Sequence, residues 1–573
     1  MRKVRLFLVF TALFAAMTMQ IDAQNNGAAV NIDEEETVDL TDFYNINDEF
    51  INDYVQDMLD DGGANLSLLL DAYQQSTGED QAVIENALEK IAVKVGKTPT
   101  LNDNETMGMV LIGYITDQDT NKGIYLLSLY KYFITDEDVH KLADFIDNEA
   151  YADMAIRVMA ESQVFVEYID KFVGRGDAEV NHKNAYAYAI GRLKMIEMED
   201  VLVSWLNKAD DNLKIEIYKA LLRFDNSALM PMIEKGAKKL YKKKDPTIKM
   251  AGMELLVAVK GETAMPYLYK ALKNKDMDVR RKALDLMTPY ATPEVTALVV
   301  KKYAKKDAVA DIVRWIGMIG DKTQADYVVA QLSSDKDNVV NEAIRTTIML
   351  ETPEGINIVK TMFGGKYQPT IKEAMIEAPM DITPILKDVV KGNNQKKLCV
   401  LDILKERKCV AMYYNVVEMM HSTNFEVKDA AYKALKNVVV ATHGEFLKTT
   451  LDSCDEVYVA DVQDAVIAAL GKASLQQKDF FVQTMKEVKP ESIPRFYKVF
   501  AALGTKESVD KLVDAYNSDN DKEKAFEALM LMNNPEFASE IKTLADKHDE
   551  YSDKLKKHYI KLDSKKRADR DKE

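Results

Sequence analysis

Residues 276–287 read DMDVRRKALDLM, and this pattern of a polar turn followed by an apolar stretch with a central alanine returns down most of the chain. With Ala283 as the anchor, the equivalent positions are Ala155, Ala189, Ala220, Ala251, Ala343, Ala374, Ala431, Ala465 and Ala525. Val313 fills the place between Ala283 and Ala343, Cys399–Val400 that between Ala374 and Ala431, and Lys498–Val499 that between Ala465 and Ala525. Neighbouring anchors are mostly 30 to 34 residues apart, with two shorter steps near 25 to 27. A period in this range belongs to small supersecondary units that stack. It forbids one globular core and demands an array.

Each unit reads as two helices. TAMPYLYKALKN places Met265, Leu268, Ala271 and Leu272 on one helical face. After KDMD, the second helix puts Val279, Ala283, Leu284 and Met287 on one face, with Asp276 or Asp278 able to cap its free N–H groups. A single pair cannot bury its apolar stripe alone, so neighbouring pairs must cover one another. Glycine and proline number only 23 and 13, which also favours helices over a turn-rich β architecture.

The pattern resembles the HEAT-like repeats, in the short form of the phycobilin lyases. AMPYLYKALKNKDMDVRRKALDLM (264–287) carries the likeness best, followed by GDKTQADYVVAQLSSDKDNVVNEAIRTTIML (320–350), STNFEVKDAAYKALKN (422–437) and GTKESVDKLVDAYNSDNDKEKAFEALMLM (504–532). The resemblance implies an all-α fold, a right-handed α-solenoid of stacked two-helix repeats, over roughly residues 80 to 545. The arginine after the turn valine occurs only as Arg280; Lys249, Asn341, Lys372, Lys428 and Gln463 stand elsewhere, so no uniform ladder along the turns is expected. Tetratricopeptide and ankyrin signatures are missing, and Trp205 and Trp315 lie outside any such motif. The expected organisation is an N-terminal helical capping region with the first repeats at 46–150, the array at 151–545, and at 546–573 a capping helix, read from the helical spacing of Tyr551, Leu555, Tyr559 and Leu562, with a charged linker or frayed tail from Asp563 onward.

The first 23 residues read as a signal peptide. Arg2, Lys3 and Arg5 precede the apolar run LFLVFTALFAAMTM, and Ala23 is a small residue at the expected cleavage point. The run is shorter than the roughly 20 residues of a membrane-spanning helix. This predicts an exported protein, periplasmic or secreted, that is not integral to the membrane after cleavage. Cys399, Cys409 and Cys454 read as buried thiols in apolar helices, with a Cys399–Cys409 bridge left open.

Charge is unevenly placed. The formal net charge is −17, which disfavours nucleic acid as a ligand. Residues 24 to 80 hold 15 acidic and no basic residues, and 24–45 read as an acidic disordered leader. Residues 235 to 306 hold 18 basic and 7 acidic residues. Lys235, Lys239 and Lys243 recur every four residues, as do Lys238 and Lys242, forming helical stripes. With Arg280, Arg281, Lys282, Lys301 and Lys302 they make a candidate binding patch for an acidic protein, an acidic glycan or a lipid headgroup. The leader is charged to fold back over it. Against this stands the simpler reading of a solvated outer face.

Catalytic motifs are missed at each near match. Gly96-Lys97-Thr98 suggests a phosphate loop, but Ile91 stands where its first glycine belongs, so Gly96 reads as a helix-end cap. DQDTNKGI (117–124) imitates a calcium loop, yet Lys122 and Ser128 occupy its glycine and glutamate positions. No histidine pair or nucleophile elbow occurs, and His443 reads as a helix-end residue. The leading expectation is a non-catalytic scaffold, without cofactor or metal, that binds another macromolecule. The alternatives are a lyase-like array holding a small ligand, or the stalk of a larger exported hydrolase.

Overall fold

The computed structural model describes residues 51–97, 101–116, 118–173, 181–471, 489–518 and 521–570. The expected signal peptide and leader, with Thr98 and Asp117, lie outside the described residues. Among the described residues every regular element is helical. The chain divides into two compact units that meet in sequence at Pro289 and Tyr290.

Local chemistry sets each helix. Met265, Leu268, Ala271 and Leu272 are buried on the helix Met265–Ala271 and its C-cap, and Val279, Ala283, Leu284 and Met287 on Met277–Met287. Asp276 is the cap between them, its carboxylate accepting from the Val279 N–H at 3.1 Å. The same device returns at Asp210, Asp245, Asn393 and Asn424, each accepting from the N–H three residues on. Such caps satisfy donors that a helix start leaves without partners, and each is worth about 1 kcal/mol.

The anchored helices form one row in each unit. In the first, Ala152–Met159, Lys183–Arg192, Asp211–Arg223, Pro246–Lys260 and Met277–Met287 each pack on the next. In the second the row comprises Ala308–Ile319, Asp337–Leu350, Gln368–Glu377, Asn394–Leu404, Phe425–Ala434, Val459–Leu470, Tyr497–Leu503 and Lys522–Leu529, again each on its successor. Partner helices flank the row; Met230–Tyr241 covers Pro246–Lys260, and Tyr413–Met420 covers Phe425–Ala434. All the anchor alanines are buried, as are Val313, Val400 and Val499. Within each unit the architecture is therefore the stacked helix pairs of a HEAT-like solenoid.

Small residues permit the close approach. A Cβ on Gly191 would stand 2.5 Å from the Ala220 Cα of the next helix in the row, well inside contact distance. Between Ala308–Ile319 and Asp337–Leu350, the buried Thr346 hydroxyl donates to the Val313 carbonyl at 3.0 Å. Apolar burial supplies most of the cohesion, at about 2 kcal/mol for each large side chain withdrawn from water.

Several expectations change. Gly96 does not cap its helix: it lies within Gly78–Lys97, where any Cβ would collide with the Tyr132 carbonyl oxygen. Cys399 is buried in a helix as expected, but Cys409 is only half-buried and begins a short 3-10 turn, and Cys454 ends the helix Gly444–Ser453. All three thiols are free, and the Cys409 Sγ lies 3.1 Å from the Thr383 hydroxyl. At the end of the chain, the helix Ser552–Arg570 runs past Asp563, where a frayed tail was expected, because lysine, arginine and alanine are strong helix formers.

Candidate functional site

The turns are joined by polar contacts whose chemistry varies from repeat to repeat. Arg280 donates to the Asn274 and Lys275 carbonyls, and Lys249 to the Tyr241 carbonyl, each closing the turn before its own helix. Asn341 instead accepts from Thr370, Lys372 pairs with Asp402 and Glu406, Lys428 pairs with Asp455, and Gln463 donates to the Arg495 carbonyl. These four reach the following repeat. Polar contacts therefore recur along the turns without one uniform residue type or reach, which is why one motif position does not disclose them.

The lysine-rich segment separates into paired and unpaired members. On Met230–Tyr241, Ile233, Gly236, Ala237, Leu240 and Tyr241 face the core, which turns Lys235 and Lys239 outward, with Lys242 just beyond. All three lysines are exposed and have no carboxylate partner among the described residues. Lys238 bonds Glu234 at 2.7 Å and Lys260 bonds the same carboxylate at 3.0 Å. The Lys238 and Lys260 ammoniums hold Glu234 below the usual carboxylate range. Lys243 bonds Asp211 at 2.6 Å, and Lys282 pairs with Glu254.

The remaining residues of the expected patch take other positions. Arg280 is only 5% exposed, its guanidinium spent on the turn carbonyls. Arg281 is half-buried and has contacts within the protein. Lys301 and Lys302 are exposed in the last turn of Pro293–Tyr303, which belongs to the second unit. In the first unit the structure thus brings Lys235, Lys239 and Lys242 together as an open stripe.

A second feature had no sequence signal. In the second unit a depression of about 300 Å³ is lined by Lys405, Lys433, Lys436, Asp461 and Asp464. Lys405 follows the helix Asn394–Leu404, Lys433 and Lys436 belong to Phe425–Ala434 and its following turn, and the aspartates to Val459–Leu470. Burial pushes the Asp461 carboxyl above its ordinary value; Asp429 and Asp464 add to this, against Lys433 and Lys436. The spacing of charges 25 to 31 residues apart on successive elements leaves no contiguous motif to read.

Two other near matches resolve as structure. Asp119 caps Thr120–Leu129 by accepting from the Asn121 and Lys122 N–H groups. His443 stacks on the Tyr413 ring with centroids 3.7 Å apart and accepts from the Val440 N–H, and burial lowers its pKa. No group of His, Cys, Asp and Glu suited to a metal ion occurs among the described residues. No helix among them is long and apolar enough to cross a membrane.

No protein-family profile matches the chain, and no curated protein matches it significantly. Among solved structures it is similar to Kap95p in its complex with RanGDP, at 10% identity and a TM-score of 0.37, over 87% of this chain and 81% of that one. It is also similar to UNC-45 from Drosophila melanogaster, at 10% identity and a TM-score of 0.27, over 91% and 89% of the two chains. A C-terminal fragment of the Chaetomium thermophilum cohesin loader SCC2 matches at 11% identity and a TM-score of 0.23, over 91% of this chain and 50% of the fragment. The assignment of the architecture rests on the helix packing itself.

Proposed function

We propose that this chain is an exported, non-catalytic repeat scaffold that binds an acidic partner protein along Lys235, Lys239 and Lys242. One observation carries the reading. In a chain of net charge −17, these lysines stand exposed without carboxylate partners among the described residues, while their neighbours Lys238, Lys243 and Lys260 are neutralised in ion pairs. Unpaired like charges on one helix face repel one another and are relieved by an anionic ligand. A rigid helix in a stacked array presents them at fixed spacing, which favours a folded acidic surface. Export is inferred from Arg2, Lys3 and Arg5 ahead of the apolar run.

The test uses the full chain and a fluorescent oligoglutamate peptide at low salt, read by anisotropy. The triple variant Lys235→Glu, Lys239→Glu, Lys242→Glu is expected to weaken binding at least tenfold, and added salt to weaken the parent in the same direction. Equal affinity in parent and variant would refute the assignment. Preferential binding of heparin or of anionic phospholipid vesicles, lost in the same variant, would move the ligand from protein to glycan or lipid.

A further inference from the structure

The depression in the second unit differs from the lysine stripe in kind, because it carries both signs of charge on rigid walls. Lys433 is already paired with Asp429 at 2.9 Å, and Lys405 has only a long contact of 3.9 Å to Asp402. Asp402 is itself shared with Lys372 at 3.1 Å. Lys436, Asp461 and Asp464 form no ion pair with any described residue. Opposite charges therefore line one hollow without closing into ion pairs with each other.

The packing beneath explains why they stay apart. Ala431, Ala434 and Leu435 on one side and Val462, Ala465 and Val466 on the other are buried, which fixes the two helices and the bases of their side chains. Lysines come from the two earlier repeats and aspartates from the later one, so polarity changes along the direction of stacking. Asp461 bears the clearest sign of an unmet need: burial, with Asp429 and Asp464 beside it, disfavours its charge more than Lys433 and Lys436 favour it. A cation brought beside it would relieve both, and an anion would not.

We infer that the depression docks a mixed-charge segment of a partner protein, with a basic side chain against Asp461 and Asp464 and an acidic one against Lys405 and Lys436. A volume of about 300 Å³ lies at the lower end of ligand pockets and accommodates a few side chains rather than a folded domain. A purely acidic ligand would meet the two aspartates, and a purely basic one the lysines. Charge complementarity in this hollow thus rejects both uniform sequences. The inference shares with the functional proposal the premise of a binding scaffold, but it needs none of Lys235, Lys239 and Lys242.

The experiment titrates the full chain with three fluorescent octapeptides, blocked at both ends: alternating glutamate and lysine, all glutamate, and all lysine. The prediction is that the alternating peptide binds, that Asp461→Asn with Asp464→Asn weakens it at least tenfold, and that Lys405→Gln with Lys436→Gln does the same. The Lys235, Lys239, Lys242 triple variant leaves this binding unchanged while losing the all-glutamate peptide, so the two sites fail independently. Circular dichroism checks folding: the four exchanges, at half-buried Lys405 and Asp461 and exposed Lys436 and Asp464, are expected to leave the helices intact. The inference is overturned if the alternating peptide does not bind, or if either pair of exchanges leaves its affinity unaltered.

Discussion

Arg407 directs its guanidinium at the backbone carbonyls of Met375, Ile376, Ala378 and Met380, at 2.6 to 3.2 Å. Those acceptors lie 27 to 32 residues earlier, at the end of the helix Gln368–Glu377 and the loop beyond it. Arg407→Ala strands several carbonyls and is expected to cost about 3 kcal/mol in denaturant unfolding, with Arg407→Lys recovering only part because a lysine lacks the planar fork. An exchange without measurable cost would remove Arg407 from the account. Gly191→Ala forces a methyl against Ala220 and is expected to cost about 1–3 kcal/mol in the same assay. The contrast with Asp276 shows what a sequence discloses. A cap bonds three residues away and is legible, whereas the acceptors of Arg407 become neighbours only after repeats stack.

At the level of single elements, the helix Ser552–Arg570 packs on Ala538–Ala545 in the second unit. Its apolar spacing at Leu555 and Leu562 was legible, and both are buried. Its anchor was not. Asp549, just ahead of the helix, is resisted by burial, yet the Lys522 ammonium, the Tyr516 hydroxyl, the Tyr551 N–H and Ser552 hold its carboxyl at about 2. A carboxyl depressed below its unfolded value stabilises the fold above that value and ceases to do so as pH falls through the folded one. The contribution is therefore complete above about pH 5, amounts to about 2 kcal/mol, and is mostly lost by about pH 2. Urea unfolding of parent and Asp549→Asn across pH 2 to 7 checks it: the stability gap should close at the acid end, and a gap independent of pH would contradict the assignment.

On the scale of the whole molecule, the period of the anchors was readable because burial against a neighbouring repeat demands a small apolar residue at one place in each unit. Charge was readable only as an excess. Which lysines stand open depends in part on Glu234, four residues before Lys238 on the same helix and so legible, but also on Asp211 and Glu254 arriving from other helices, which no spacing in the sequence foretells. The depression at Lys405, Lys436, Asp461 and Asp464 was invisible for the same reason. Both surfaces depend on a row in which each helix is held by its immediate neighbours, and hydrogen exchange addresses that most directly. Ala343 is fully buried on Asp337–Leu350, so Ala343→Arg should disrupt that helix and its neighbours Ala308–Ile319 and Gln368–Glu377. The expected result is lost amide protection in those three helices, with protection kept at Tyr497–Leu503 and Lys522–Leu529. Simultaneous loss of protection throughout residues 290–570 would show one indivisible core and contradict it.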